Sequence, residues 1–253
     1  AQLRISLIPH LLDAVSYNQA RKNNDVFLYE IGSIFIKQGD NVQPKEVEHV
    51  AGVLTGLYVN HPWQGEKVPV DFYTVKGILE NLFAKLSLDH KITFIKAEIN
   101  GMHPGQTGKI LLEDEVVGFV GKIHPEREKA YDVKNVFAFE LNLEMLLSRE
   151  LPESTYKPIP RFPAISRDIA LIVDQAQEAA ELEQVIRKAG GKLLQHVKVF
   201  DVYEGEHVAA GKKSIAFTME FYDPERTLTD EEVNQIHEKI VTELKNFGAE
   251  LRQ

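Results

Sequence analysis

The chain has 253 residues, which is enough for two hydrophobic cores, and its 43% hydrophobic and 26% charged composition is typical of a globular protein. It has no cysteine, no run of about 18 apolar residues and no charged lead before an apolar stretch, so we expect a cytoplasmic protein without disulfides, thiolate metal sites, membrane span or signal peptide. The net charge of −9 disfavours nucleic-acid binding through many phosphate contacts, so any RNA contact is expected to be local and to involve individual bases.

The first part of the chain begins with a predicted helix and a set of strands. Residues 6–15 are predicted to form a helix with Ser6 as a candidate N-cap. Residues 26–32 and 33–37 are predicted strands that meet at a turn or bulge marked by Gly32. Residues 49–56 form a further predicted strand.

A helix, a hairpin and a further strand complete this part. Apolar residues recur at helical spacing between residues 75 and 86, which predicts an amphipathic helix. Residues 109–112 and 116–120 flank an acidic turn and predict a hairpin, and residues 136–141 predict a strand. Many strands with few intervening helices indicate an antiparallel sheet flanked by helices.

A proline-rich segment divides the sequence. Four prolines fall within residues 152–163, where they remove backbone donors and favour an extended chain. We therefore predict a first domain over residues 1–150, a linker over residues 151–160 and a second domain over residues 161–253.

The second domain has a sharper pattern. Ile169, Leu171 and Val173 alternate with less apolar residues as in a strand, and a helical stripe follows that ends at Gly190. Residues 197–203 and 214–221 are predicted strands. Thr229 and Glu232 form a capping box that opens a last helix, with a final short strand over residues 249–252. This order predicts a ferredoxin-like βαββαβ unit.

Several segments resemble one known family, in the order in which that family has them. The matching segments of the second domain are residues 161–163, 167–170, 199–203, 213–216, 226–230 and 249–252. They resemble the ferredoxin-fold anticodon-binding domain that ends the beta subunit of bacterial phenylalanyl-tRNA synthetase. The matching segments of the first domain are residues 3–9, 27–32, 102–106 and 117–126, which resemble the class II synthetase-like domain of the same subunit.

The resemblance implies an α+β fold class, with an antiparallel-sheet class II synthetase-like domain followed by a ferredoxin-like domain. It also implies a place in the C-terminal portion of a subunit roughly three times longer than this chain. The family's enzyme is an α₂β₂ tetramer that joins phenylalanine to tRNA(Phe) with ATP and Mg²⁺. Its alpha subunit holds the active site, and its beta subunit contacts the anticodon region of the tRNA.

The resemblance further implies that this chain has no catalytic residues of its own. Class II synthetases hold ATP with an arginine close to a glutamate, whereas Leu28 and Tyr29 precede Glu30 here. No glycine-rich segment with a second arginine follows. We therefore expect the chain to bind no cofactor, and ATP and Mg²⁺ belong to the whole enzyme.

The candidates for RNA contact lie in the second domain. Arginine and lysine contact phosphates or base edges, carboxylates accept from exocyclic amino groups, and aromatic rings stack on unpaired bases. The candidates are Arg161, Phe162, Arg167, Asp168, Asp201, Lys212, Lys213, Tyr222 and Arg226. Each cation is equally compatible with an ordinary surface charge, and Arg167 with a structural ion pair to another strand.

Other aromatic residues form a possible stacking set in the same domain. Phe200, Tyr203, Phe217, Phe221 and Tyr222 fall in or next to its predicted strands. Phe217 and Phe221 share an apolar face and are assigned to the core, whereas Tyr222 alternates to the other face and is the better candidate for stacking.

Two His-Pro pairs raise the question of a metal site. His103 and His124 lack a clear third ligand, so we predict instead that each marks a turn at a strand end with its ring hydrogen-bonded to the backbone. The acidic residues 113–115 are predicted to be a solvated hairpin tip.

Two other functions are compatible with such a fold. Ferredoxin-like units also bind amino acids in regulatory proteins, and fold alone does not decide function. A purely structural subunit domain is the second alternative. The segments 200–203 and 226–229 favour the anticodon-binding interpretation.

Overall fold

The computed structural model describes residues 3–40, 42–148, 161–206 and 208–252. The chain divides into two compact units, Ala1–Thr155 and Tyr156–Gln253. The predicted linker, residues 151–160, lies outside the described residues. Among the described residues, no helix is both long enough and apolar enough to cross a membrane.

The first unit is built on an antiparallel sheet with helices on both faces. Its helices are α1 (Ile8–Gln19), α2 (Phe72–Lys85), α3 (Pro125–Tyr131) and α4 (Leu143–Leu147). Its strands are β1 (Val26–Ile36), β2 (Lys45–Thr55), β3 (Leu57–His61), β4 (Glu66–Pro69), β5 (Ile92–Lys96), β6 (Met102–Leu112), β7 (Glu115–Ile123) and β8 (Phe137–Asn142). Six strands pair in the order β1-β2-β8-β7-β6-β5, and β3 pairs separately with β4. Helix α1 packs in one core cluster and α2 in another, on the two sides of the sheet.

Strand β1 corrects the prediction of two strands that meet at Gly32. Every residue from Val26 to Ile36 has a partner in β2, without a register shift. The glycine has a different role, because a Cβ there would lie 2.4 Å from Nη2 of Arg4. Arg4 packs over this position and donates from Nη1 to Glu30 Oε1 at 2.6 Å. Gly32 therefore permits a close approach of Arg4 and does not break the strand.

The start of α1 also differs from the prediction. The N-cap is Leu7, whose side chain makes no cap hydrogen bond. Ser6 Oγ accepts from the Ile8 backbone N–H at 3.2 Å and donates to Glu140 Oε2 at 2.5 Å. Glu140, only 3% exposed, also bonds His49 Nδ1 at 3.0 Å. Ser6 therefore attaches the segment before α1 to the middle of the sheet.

The second unit has four strands and two longer helices. Its elements are β9 (Ile165–Asp174), α5 (Ala179–Gly190), β10 (Leu194–Tyr203), β11 (Lys212–Phe221), α6 (Asp230–Phe247) and β12 (Glu250–Leu251). The sheet is antiparallel in the order β10-β11-β9-β12. This is the predicted βαββαβ arrangement, and with the first unit it confirms the α+β fold class.

The ends of α6 follow the sequence closely. Thr229 Oγ1 accepts from Glu232 N at 3.3 Å, and Glu232 Oε2 accepts from Thr229 N at 2.9 Å, which confirms the capping box. Gly248 ends the helix with φ +105°, a left-handed conformation that glycine adopts without strain. Phe247, in the last turn of α6, is 46% exposed.

Candidate nucleic-acid interface

The sheet of the second unit has one covered face and one open face. Leu182 and Ile186 of α5 and Val233 and Leu244 of α6 pack in one core cluster with Phe217 and its strand neighbours. Because side chains alternate along a strand, the residues between these core positions point away from both helices. In the described part of the second unit no helix covers that side, which we call the open face.

The register fixes which residues are neighbours on the open face. Residues directly opposite in an antiparallel pair lie on the same face, about 5 Å apart. From β10 through β11 to β9, the rows are Lys198-Thr218-Asp168, Asp201-Ala216-Ala170 and Tyr203-Ser214-Ile172. The middle of the face is therefore lined by small side chains, and polar or ring-bearing residues border it.

Tyr203 and Arg252 form a cation–π pair at one border of this face. Cζ of Arg252 lies 5.3 Å from the Tyr203 ring centroid. The Arg252 backbone N–H donates to Ala170 O at 2.9 Å, and Nη1 donates to Ser214 Oγ at 3.4 Å. Gly205 packs against the ring, since a Cβ there would lie 2.4 Å from the Tyr203 hydroxyl. The pair thus holds an exposed guanidinium plane beside the small residues.

The charges on the open face are mixed. Its cations are Lys198, Lys212 and Arg252, and its carboxylates are Asp168, Asp174, Asp201, Glu220 and Glu250. Lys212 lies 3.6 Å from both Asp174 and Glu250. Such a face attracts phosphates weakly, so it suits contacts with bases better than contacts along an RNA backbone.

Three of the nine sequence candidates lie on the open face. Asp168 and Asp201 are exposed there, in adjacent rows, and Lys212 lies at the far end of the same face. Lys213 is opposite core-facing Val173 and so lies on the helix side.

Arg167 also lies on the helix side, opposite Met219. Its Nη2 donates to Asp230 at 2.6 Å and to Asn234 at 3.1 Å, so its ion pair is with α6 and not with another strand. Nε2 of the His237 ring on α6 is buried and has no hydrogen-bond partner among the described residues. Burial, and then the positive charge of Arg167, lower the pKa of His237, which favours the neutral ring.

The remaining candidates lie where β9 begins and β11 ends. Arg161 is exposed and Phe162 half-buried just before β9, and half-buried Tyr222 donates its backbone N–H to Leu193 O at 2.9 Å. Ile165 and Phe221 are directly paired, so these residues share one end of the sheet. RNA contacts by the candidates off the open face stay predictions.

Arg226, at the same end, braces the cap of α6. Its Nη1 and Nη2 donate to both carboxylate oxygens of Glu232, at 2.9 and 2.7 Å, and its Nε lies 3.4 Å from Asp223. The hydrogen bond from Arg226, and then that from the Thr229 backbone, lower the pKa of Glu232 from its ordinary 4.5 to about 2. Arg226 therefore supports the loop between β11 and α6.

Replacement of Arg226 by methionine is expected to flatten the acid dependence of stability. The pKa of Glu232 is lowered in the folded state. The Glu232 carboxylate therefore adds to the free energy of unfolding above about pH 4.5, and this stabilisation is lost as the pH falls toward 2. The variant should be less stable at pH 7 and should lose less stability between pH 4.5 and 2. Urea unfolding at stepped pH measures this, with Arg187→Met, which breaks the Arg187–Glu183 pair of α5, as control. If the free energy of unfolding of wild type and Arg226→Met changed identically with pH, the stabilising role of the Arg226–Glu232 pair would be contradicted.

The surroundings of Glu30 in the first unit differ from the ATP site of class II synthetases. The Glu30 carboxylate accepts from Arg4, and the neighbouring Leu28 and Tyr29 offer no cation for a phosphate. Among the described residues, no group of three or more histidines and carboxylates is placed to hold a metal ion.

The rings of both His-Pro pairs are hydrogen-bonded to the backbone, as predicted, but only His124 lies at a strand end, where it is the N-cap of α3, whereas His103 lies within β6 where the register to β7 is irregular. His103 Nδ1 accepts from Gly105 N at 3.0 Å, and His124 Nδ1 accepts from Glu126 N at 3.2 Å. The acidic hairpin is also confirmed, with its turn at Glu113 and Asp114 between β6 and β7.

Comparison with protein families identifies both units. Residues 1–143 match the model of the phenylalanyl tRNA synthetase beta chain CLM domain. The chain belongs to the phenylalanyl-tRNA synthetase beta chain family. Residues 160–252 match the ferredoxin-fold anticodon binding domain, so the resemblance seen in the sequence is confirmed for both parts of this beta chain sequence.

Curated relatives agree over nearly the whole chain. The phenylalanine–tRNA ligase beta subunit of one Bacillus cereus strain is 54% identical over 100% of this chain, which spans 32% of that protein. The beta subunits of Halalkalibacterium halodurans and Bacillus subtilis are 54% and 49% identical over 99% of the chain, which spans 31% of each. The chain thus spans about a third of the length of these relatives, and the matches give no support to the amino-acid-sensing alternative.

One solved structure also shows a weak likeness. The pyrrolysyl-tRNA synthetase from Desulfitobacterium hafniense aligns with 57% of this chain and 48% of its own, at 12% identity and a TM-score of 0.43. That score is too low to carry an argument.

The pair that best fits a base-binding site was only partly visible in the sequence. Tyr203 was in the stacking set, but Arg252 and Ser214 were not among the nine candidates. Strand alternation places Ser214 on the face opposite Ile215. Nothing local to residue 252 shows that it reaches Tyr203, 49 residues earlier.

Proposed function

We propose that this chain is the part of a phenylalanine–tRNA ligase beta subunit that holds the anticodon loop of tRNA(Phe) on the open face. The observation that carries the proposal is the Tyr203–Arg252 cation–π pair beside small residues. Unpaired bases stack on aromatic rings and on guanidinium planes, and Ala170 and Ala216 leave room for a base to approach the sheet. The family match to an anticodon binding domain supports the same interpretation.

Base edges would be read by the polar residues around the pair. The carboxylates of exposed Asp168 and Asp201 accept from exocyclic amino groups, whereas the buried Ser214 hydroxyl accepts from Arg252 Nη1 and helps to hold the guanidinium in place. Holding the anticodon places the distant acceptor end in the partner's active site, so binding energy is used for orientation. ATP and Mg²⁺ would be bound by that partner and not by this chain. The assembled enzyme would act in the cytoplasm.

Titration with tRNA(Phe) and with free amino acids tests the proposal. We expect tRNA(Phe) to bind, an anticodon-substituted tRNA(Phe) to bind at least roughly tenfold more weakly, and phenylalanine not to bind. Binding should depend only weakly on salt, because few phosphates are neutralised. Amino-acid binding with indifference to tRNA would overturn the proposal.

We further propose that the alpha subunit packs on an apolar strip of the first unit, within an α₂β₂ assembly. The strip is Phe27, Tyr29 and Ile31 of edge strand β1, which are 45%, 74% and 56% exposed, with Tyr58 edge-on to Phe27 at 6.3 Å. None of these residues is charged, so the strip suits a protein surface. The relatives are named beta subunits, which implies a partner chain of another type.

Replacing Tyr29 with aspartate is expected to weaken capture of the alpha subunit at least roughly tenfold. An exposed tyrosine at the centre of an apolar interface is often a hot spot, and a buried unpaired carboxylate is costly there. Tyr73→Asp is the control, since Tyr73 is 76% exposed on α2. Affinity capture of the purified subunits measures the effect. Equal capture of both variants would contradict this use of the strip.

A further inference from the structure

The edge strand β10 contains a β-bulge beside the open face. Its register to β11 passes from Val199 opposite Phe217 to Asp201 opposite Ala216. Phe200 is thereby left as an extra residue without a partner of its own. Such bulges commonly re-aim a side chain next to a functional site.

The bulge places two successive side chains on the open face. Val199 is opposite core residue Phe217 and packs against the core, so alternation directs Phe200 to the other side. Asp201 is opposite Ala216, which is on the open face. A regular strand would show only one of the two residues there. The bulge therefore adds an aromatic ring to the border of the face.

Phe200 is not required by the core. It is 55% exposed, whereas Phe217 and Phe221 of the neighbouring strand are fully buried. It lies three residues from Tyr203, which is about 10 Å along a strand. One base cannot cover both rings at that distance, but two bases of one loop can.

We propose that Phe200 is a second stacking platform, which takes an unpaired base next to the one held at Tyr203 and Arg252. The ligand class is single-stranded RNA, and the inference rests on the proposed anticodon binding. The exposed ring stacks on any base, so it adds affinity for an unpaired loop while edge contacts elsewhere on the face select the sequence.

The test is binding of tRNA(Phe) anticodon stem-loops that carry 2-aminopurine at single unpaired purine positions. Phe200→Ala should raise the Kd roughly 5-fold or more and remove the stacking-dependent change in fluorescence at one position. Phe200→Trp should retain both. The matched control is Val202→Ala, because Val202 is 54% exposed on the same strand but lies opposite core residue Ile215.

Three distinguishable results would overturn the proposal that a base stacks on Phe200. If Phe200→Ala and Val202→Ala both bind like the wild type while Arg252→Ala binds weakly, the open face binds RNA without Phe200. If none of the three variants changes the Kd, the proposed function fails together with the platform. If Val202→Ala weakens binding as strongly as Phe200→Ala, the edge strand contacts the RNA through its other side and stacking on Phe200 is not the cause.

Discussion

Arg252→Ala is expected to raise the Kd for tRNA(Phe) about 10- to 100-fold while leaving the free energy of unfolding nearly unchanged. The guanidinium lies over Tyr203 and beside Ser214 at the border of the open face, and Arg252 is exposed. Its removal takes away a stacking surface worth about 1–3 kcal/mol per base together with one positive charge. Fluorescence anisotropy with labelled tRNA measures the Kd, and urea unfolding measures the stability.

Two variants distinguish the contribution of the planar guanidinium group of Arg252 to RNA binding from the contribution of its positive charge. Arg252→Lys keeps the charge but removes the plane, so it should lose most of the affinity. Arg187→Ala changes the net charge by the same amount on α5, where Arg187 pairs with Glu183, and should bind as wild type. If Arg187→Ala weakens binding as much as Arg252→Ala, charge alone explains the effect and the Tyr203–Arg252 pair has no special role.

Phe217→Ala is expected to cost about 3–5 kcal/mol of stability in the second unit and none in the first. Phe217 is fully buried between the sheet and helices α5 and α6, so truncation leaves a cavity in that core. The matched change is Phe83→Ala, which removes a fully buried ring from the α2 side of the first unit. Hydrogen exchange, resolved by unit, measures which core is destabilised.

The two phenylalanine variants also test the predicted domain division. Separate cores at residues 1–150 and 161–253 require that each variant lowers protection only in its own unit. A loss of protection in both units from either single variant would show one cooperative core. The predicted domains would then be wrong.

The sequence predicted the local structure correctly wherever residues a few positions apart determine it. The capping box at Thr229 and Glu232 and the alternation around Phe217 depend on residues a few positions apart, so they were predicted correctly. Gly32 was misinterpreted because glycine marks both turns and close approaches. Only the position of Arg4, 28 residues earlier, distinguishes the two.

The candidate site was harder to predict because its geometry depends on register and on distant partners. The Arg167 pair with Asp230 spans 63 positions, so alternation with Ile169 places this side chain on the helix side but no local signal shows its partner on α6. The bulge at Phe200 shifts which residues of β10 lie on the open face, and a strictly alternating pattern conceals it. Arg252 follows the last short strand, where its contact with Tyr203 requires the assembled sheet.

The most direct measurement is a map of NMR shift changes in this chain on addition of the tRNA(Phe) anticodon stem-loop. The changes are expected on the open face, at Lys198, Tyr203, Ser214 and Arg252, with little change along α5 and α6. Changes confined to the helices, or none anywhere in the second unit, would contradict an anticodon site on this sheet.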